Sequence, residues 1–114
     1  MKCESLDVWK MACSLSSEIY LGLKDCRDYS FKDQITRSGL SVPSNIAEGI
    51  ERESGKEKIR FLDIAQASTA ELKTQIFIGI KINYIEHNVG KEWLRKTDRI
   101  HMMIKSLKRS FIVD

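Results

Sequence analysis

The residue types that most often carry catalysis or bind metals are sparse and poorly spaced in this chain. A di-iron helical bundle needs Glu-x-x-His on two helices, whereas the chain offers only Asp98-x-x-His101, once. His87 lies in a predicted loop, so no nucleophile with a positioned general base can be assembled. The sequence therefore predicts a protein that is not an enzyme and that has no metal or cofactor site.

The cysteines and glycines agree with this interpretation. Cys3, Cys13 and Cys26 are odd in number and lack the C-x-x-C spacing of a zinc site, which indicates reduced thiols. The six glycines form no phosphate-binding loop motif.

Positive charge is the best candidate for a functional feature. The formal net charge is +3, and the excess lies on the last predicted helix. Its cations fall on a stripe about 200° from the apolar seam or flank that stripe: Lys91, Arg95, Arg99, Lys105, Lys108 and Arg109. Such a face would attract the phosphates of RNA or DNA, with an affinity that falls as salt rises. The alternative is an ordinary solvated surface whose last cations complement the helix dipole.

Two further observations limit this hypothesis. No aromatic residues interleave with the charges, so we expect little base stacking and little sequence specificity. A second basic cluster, at Arg52 and Lys56 with Lys58 and Arg60 nearby, surrounds a predicted turn but is diluted by glutamates. It is either a phosphate site at a helix start or a salt-bridged surface turn.

The elements that must position these residues are four amphipathic helices. Apolar residues recur at steps of three and four, and one proline among 114 residues is typical of a helical chain. The predicted helices span about 5–24, 31–49, 55–83 and 91–111. Short loops favour antiparallel neighbours, so the chain is predicted to be one all-α domain, 1–114, an up-down-up-down four-helix bundle.

Local signals set the predicted helix boundaries. Ser5 is expected to cap helix one, and Ser30 opens an S-x-x-D signature for helix two. The apolar phase continues on both sides of Pro43, which predicts a kink and not a stop. Ser54-Gly55-Lys56-Glu57 is a full capping box that opens helix three.

Helix one carries more apolar positions than a single bundle seam requires. Val8, Leu15 and Ile19 lie in a second apolar stripe. We expect these three residues to contact another subunit of a homo-oligomer.

A polar stripe follows helix two and continues on helix three. Its members are Gln34, Ser38, Ser41, Asn45 and Glu48, with Glu71, Thr74 and Gln75 added from helix three, and Arg37 is a further polar candidate on helix two. Their side chains could fix helix register by hydrogen bonding, or could form a ligand or partner site.

These polar residues lie within blocks that resemble a known family, the four-helix-bundle proteins associated with intervening sequences in bacterial 23S rRNA genes. The most specific block is V-P-S-N-I-A-E-G at 42–49, and Val8-Trp9, Gln34-Ile35-Thr36-Arg37 and Glu71-Leu72 extend the match over most of the chain. Gly39-Leu40 departs from the small or β-branched residues usual in the family, so we expect the local packing to differ there.

The resemblance implies a homo-oligomer, a pentameric ring, in a family whose biochemical function is unsettled. The fold is also similar to that of an accessory protein of diversity-generating retroelements, so a role with RNA or DNA is implied by analogy. The alternative is a protein–protein interaction scaffold without a nucleic-acid role. No apolar run approaches a membrane span and the N-terminus does not resemble a signal sequence, so we expect a cytoplasmic protein without membrane contact.

Overall fold

Four α-helices account for most of residues 2–112, the part of the chain that the structure, a computed structural model, describes. A short 3₁₀ turn, Cys3–Ser5, precedes them. The helices are α1 (Asp7–Gly22), α2 (Tyr29–Glu51), α3 (Gly55–Lys81) and α4 (His87–Ser110). The described residues contain no strand, which confirms the all-α prediction.

Helix α2 continues through Pro43 to Glu51. The prediction that the proline does not end the helix is therefore confirmed, while the kink stays a prediction. Side-chain contacts between α2 and α3 join Ser38 to Glu71 and Ser41 to Ser68, so the residue numbers rise on one helix as they fall on the other. This order is that of antiparallel neighbours. The up-down-up-down course of the whole chain also stays a prediction.

The core is a single apolar cluster to which all four helices contribute. Its fully buried members include Ile19 of α1, Ile46 of α2, Ile76 of α3 and Ile104 of α4. Burying a side chain of this size contributes roughly 1.5–3 kcal/mol. Packing of these faces fixes which side of each helix remains exposed to solvent.

The structure corrects the subunit-interface prediction for helix one. Val8, Leu15 and Ile19 are 5%, 1% and 0% exposed within a single protomer, because α1 packs against both α2 and α4 and these side chains belong to the shared core. Their side chains stabilise the bundle itself and are not free to meet a second copy. Helix one needs its wide apolar face to contact more than one neighbour inside the protomer.

The starts of α1 and α2 differ from their predicted positions. Ser5 does not cap α1; it lies in the 3₁₀ turn, and Leu6 precedes the helix without a side-chain cap. Asp28, not Ser30, caps α2 by accepting a hydrogen bond from the Phe31 amide at 3.1 Å. The start of α3 is as predicted, with the Ser54 hydroxyl accepting from the Glu57 amide at 3.1 Å.

The connection between α3 and α4 is shorter than predicted. Helix α3 ends at Lys81, and Asn83 has a φ of 64°, a left-handed conformation that asparagine tolerates at helix ends. Helix α4 begins at His87, so this residue is helical and not in a loop. None of the helices within residues 2–112 contains an uncharged apolar stretch of the length that a lipid bilayer requires.

Candidate nucleic-acid interface

Helix α4 carries seven lysine and arginine residues against two acidic ones, an excess that is larger than the net charge of the whole chain. Its inner side buries Trp93, Ile100 and Ile104 in the core. Five cations are exposed on its outer side, and we call this set the α4 basic face: Lys91, Arg95, Arg99, Lys105 and Arg109. At 1.5 Å per residue, the face extends about 27 Å along the helix.

Two contacts at the helix start orient this face. The Glu86 carboxylate accepts a hydrogen bond from the Val89 amide at 2.9 Å, which caps α4. Hydrogen bonds from the backbone amides of Val89 and Asn88 lower the pKa of Glu86. Gly90 lies against Ile80 of α3 so closely that an added Cβ would overlap the isoleucine side chain. The missing side chain lets α4 approach α3 and leaves the basic side facing outward.

Arg95 is the one member of the α4 basic face whose charge is paired within the described residues. Its Nε donates to both Glu92 oxygens, at 3.1 and 3.2 Å, and its terminal nitrogen contacts the same carboxylate. This hydrogen bonding lowers the pKa of Glu92 and raises that of Arg95. Sequence reasoning missed the pair, although the i, i+3 spacing of opposite charges is its usual signal.

The other four members have no carboxylate within ion-pair distance in residues 2–112. The α4 basic face therefore offers four cations that are not neutralised by a neighbouring acid: Lys91, Arg99, Lys105 and Arg109.

Lys108 does not belong to this outward set. Its Nζ lies 2.5 Å from an Asp63 oxygen and donates to Gln66 Oε1 at 2.9 Å, so it connects α4 to α3. Its side chain is 25% exposed, less than half the exposure of Asp63. The prediction that Lys108 flanks an open basic stripe is corrected, because its position on the helix directs it toward α3.

The second basic cluster is split between a packed and an exposed cation. Arg52 contacts Glu48 at 3.0 Å, and its guanidinium lies 4.5 Å from the centre of the Phe61 ring. Lys56 is exposed and follows Gly55, which packs directly against the Phe111 carbonyl after the end of α4. Lys56 therefore lies at the same end of the bundle as Arg109, an arrangement that the sequence alone does not show.

The polar stripe of the family blocks lies along the contact between α2 and α3. The Ser38 hydroxyl donates to Glu71 Oε1 at 2.8 Å, and Ser41 and Ser68 hydrogen-bond at 2.8 Å. Asn45 Nδ2 donates to the Ser41 carbonyl at 2.8 Å and to its hydroxyl at 3.0 Å. The Ser38–Glu71 and Ser41–Ser68 hydrogen bonds join α2 to α3, which supports a role for the polar stripe in fixing the register of these two helices.

The remaining stripe residues are placed at the margin of that contact. Gln34 and Arg37 are exposed and line a polar groove of about 500 Å³ with Glu71. Gln75 is half-buried, and Glu48 pairs with Arg52. Among residues 2–112, no three histidine, cysteine, aspartate or glutamate side chains lie together as metal ligands would.

Fold and site together define a four-helix-bundle protein with one strongly basic outer helix. The model of the 23S rRNA-intervening sequence protein family matches residues 4–106, and the chain belongs to this family. A similar fold occurs in the crystal structure, at 1.70 Å resolution, of a protein with unknown function from the S23 ribosomal protein family of Bacteroides thetaiotaomicron. The two chains are 23% identical, with a TM-score of 0.83 over 90% of this chain and 98% of that one. No curated protein matches the chain.

Proposed function

We propose that this protein binds RNA or DNA through the α4 basic face, without catalysis and without strong sequence readout. The observation that carries the proposal is the exposure of Lys91, Arg99, Lys105 and Arg109 along one helix, with no carboxylate of the described residues within ion-pair distance. Cations spaced along a straight element can neutralise successive phosphates and release their counterions. The name of the matching family, which refers to an rRNA intervening sequence, agrees with a nucleic-acid role.

The length and composition of the α4 basic face predict which parts of a nucleic acid it contacts. Helix α4 presents its cations over about 27 Å, and no aromatic side chain belongs to the set, so contacts should be made to phosphates and not to bases. Affinity should therefore depend strongly on salt and weakly on sequence.

The test is fluorescence-anisotropy titration of duplex DNA, structured RNA and single-stranded RNA with the protein at about 50 and about 200 mM salt. The variant Arg99→Glu, Arg109→Glu should lose most binding, because it replaces two attractive charges with two repulsive ones. The control is Lys24→Glu, Arg27→Glu, which makes the same charge change at exposed residues between α1 and α2. Equal binding by both variants would reject the α4 basic face as the site. Cleavage of the labelled nucleic acid during the titration would reject the non-enzymatic part.

We also propose that the protein is a homo-oligomer. The family resemblance implies that its form is a pentameric ring. The supporting observation is the exposure of isoleucines toward both ends of α3: Ile64 and Ile78 on the helix, and Ile82 directly after it, are 40–46% exposed. A stable interface buries such residues. Light scattering should give a mass of several protomers, and Ile78→Glu, Ile82→Glu should give a folded monomer, whereas Ser17→Glu on α1 should leave the mass unchanged.

The second candidate function is a protein–protein interaction scaffold without a nucleic-acid role. Large apolar side chains exposed on the protomer, such as Leu21, Phe77 and Met102, favour it, since surfaces of this kind are common at interfaces. A partner whose binding survives Arg99→Glu, Arg109→Glu, in a protein that binds no nucleic acid, would support this candidate over the first.

A further inference from the structure

A groove separates the start of α1 from the second half of α4. It has a volume of about 620 Å³ and continues into a second groove of about 420 Å³, because Asp7, Arg99 and Met103 line both. The α4 residues on its wall run from Lys96 to Ser110. This length is about 21 Å, or about four turns of an α-helix.

The floor of the groove is apolar and rich in methionine. Leu6, Met103 and Leu107 are half-buried and pack on the core, while Met102 is 65% exposed at the wall. Methionine side chains are flexible and polarisable, and they adapt to varied apolar partners. Such a floor is suited to the apolar side of a helix and offers few polar groups to a small ligand.

Three of the four charged residues that line the two grooves are cations. Arg99 and Lys10 are exposed there, and Lys96 lies at one end, 2.8 Å from Glu18. Asp7 is the acidic residue among those that line the two grooves. An occupant should therefore carry negative charge beside its apolar residues, since like charges across an interface are costly.

We propose that this groove binds an amphipathic helix of a partner protein, with aspartate or glutamate residues flanking its apolar stripe. The binding mode is that of a helix in a groove, in which apolar side chains spaced three and four residues apart anchor the segment. This inference goes beyond nucleic-acid binding and shares only Arg99 with the α4 basic face. It does not depend on whether that face binds RNA or DNA.

The experiment uses two synthetic peptides of about 18 residues, each helical on its own, with the same leucine stripe and with flanks of glutamate or of lysine. The 114-residue chain should bind the glutamate peptide at least about tenfold more tightly than the lysine peptide. Ser106→Trp fills the groove from an exposed position and should weaken binding of the glutamate peptide about tenfold. Ser44→Trp, at an exposed site on α2, should leave it unchanged.

Arg99→Glu provides a second test, because it changes the charge on the wall of the groove without adding a bulky side chain. This variant should bind the glutamate peptide more weakly and the lysine peptide more tightly than the unaltered protein does. Equal affinity of the protein for both peptides, or no effect of Ser106→Trp, would overturn the proposal. A loss of oligomeric mass in Ser106→Trp would also overturn the proposal, because it would show that a second copy of the chain occupies the groove in the unaltered protein. Ser106→Trp retains every cation of the α4 basic face, so failure of peptide binding is distinguishable from failure of nucleic-acid binding.

Discussion

Replacing Ile19 with alanine should destabilise the protomer by about 3 kcal/mol. Ile19 is fully buried, and its Cδ1 lies 3.7 Å from the position that a Cβ on Gly39 would occupy. The substitution removes three carbons, each worth about 0.8 kcal/mol of burial, and the cavity left between α1 and α2 adds to this cost. With a urea dependence of about 2 kcal/mol per molar, the unfolding midpoint should fall by about 1.5 M.

The assay is urea unfolding followed by circular dichroism at two protein concentrations. The control is Leu21→Ala on the same helix, where the side chain is 69% exposed and the change should stay within about 0.5 kcal/mol. The reasoning would be refuted if Ile19→Ala left the midpoint unchanged or reduced the oligomeric mass while the protomer stayed folded. The first result would contradict the burial of Ile19 in the core, and the second would place Ile19 between subunits, as the sequence pattern first suggested.

Three further predictions concern local contacts. Ser54→Ala should cost about 1 kcal/mol in urea unfolding, because the Glu57 amide loses its acceptor, and an unchanged midpoint would contradict this. Arg95→Gln should raise the NMR-measured pKa of Glu92 toward its ordinary value; since the folded pKa is lowered, the stability that the pair contributes is present at neutral pH and lost as the pH falls through that pKa. Burial raises the pKa of Cys13, so iodoacetamide should alkylate it more slowly in the native protein than in urea, and equal rates would contradict its burial.

Helix identity was largely predictable because it depends on patterns that are local in sequence. The capping box at Ser54 predicted the start of α3 correctly, since both partners of the hydrogen bond lie within four residues. The predicted start of α4 was wrong because Gly90 resembled a loop residue. In the structure it is helical, and its lack of a side chain serves the contact with Ile80 of α3. That contact joins residues ten apart across a turn, so no local pattern indicates it.

The candidate site was predictable in position but not in pairing. Helical periodicity placed Lys91, Arg99 and Arg109 on the outer side of α4, and they are exposed there. It did not show that Lys108 meets Asp63, because this pairing depends on how α3 and α4 pack together. Likewise, an apolar stripe such as that of Ile19 does not reveal whether it meets its own chain or a second copy.

The salt dependence of nucleic-acid binding tests the central proposal most directly. If all four unpaired cations on α4 contact phosphates, the slope of log Kobs against log salt should be about −3.6 per protomer on duplex DNA and about −2.8 on single strands. Fewer contacts would make the slope shallower. Arg99→Gln, Arg109→Gln should make the duplex slope shallower by about 1.8, while Lys24→Gln, Arg27→Gln should leave it unchanged. Absence of binding at about 50 mM salt, or a slope that Arg99→Gln, Arg109→Gln does not alter, would contradict a role for the α4 basic face in binding nucleic acid.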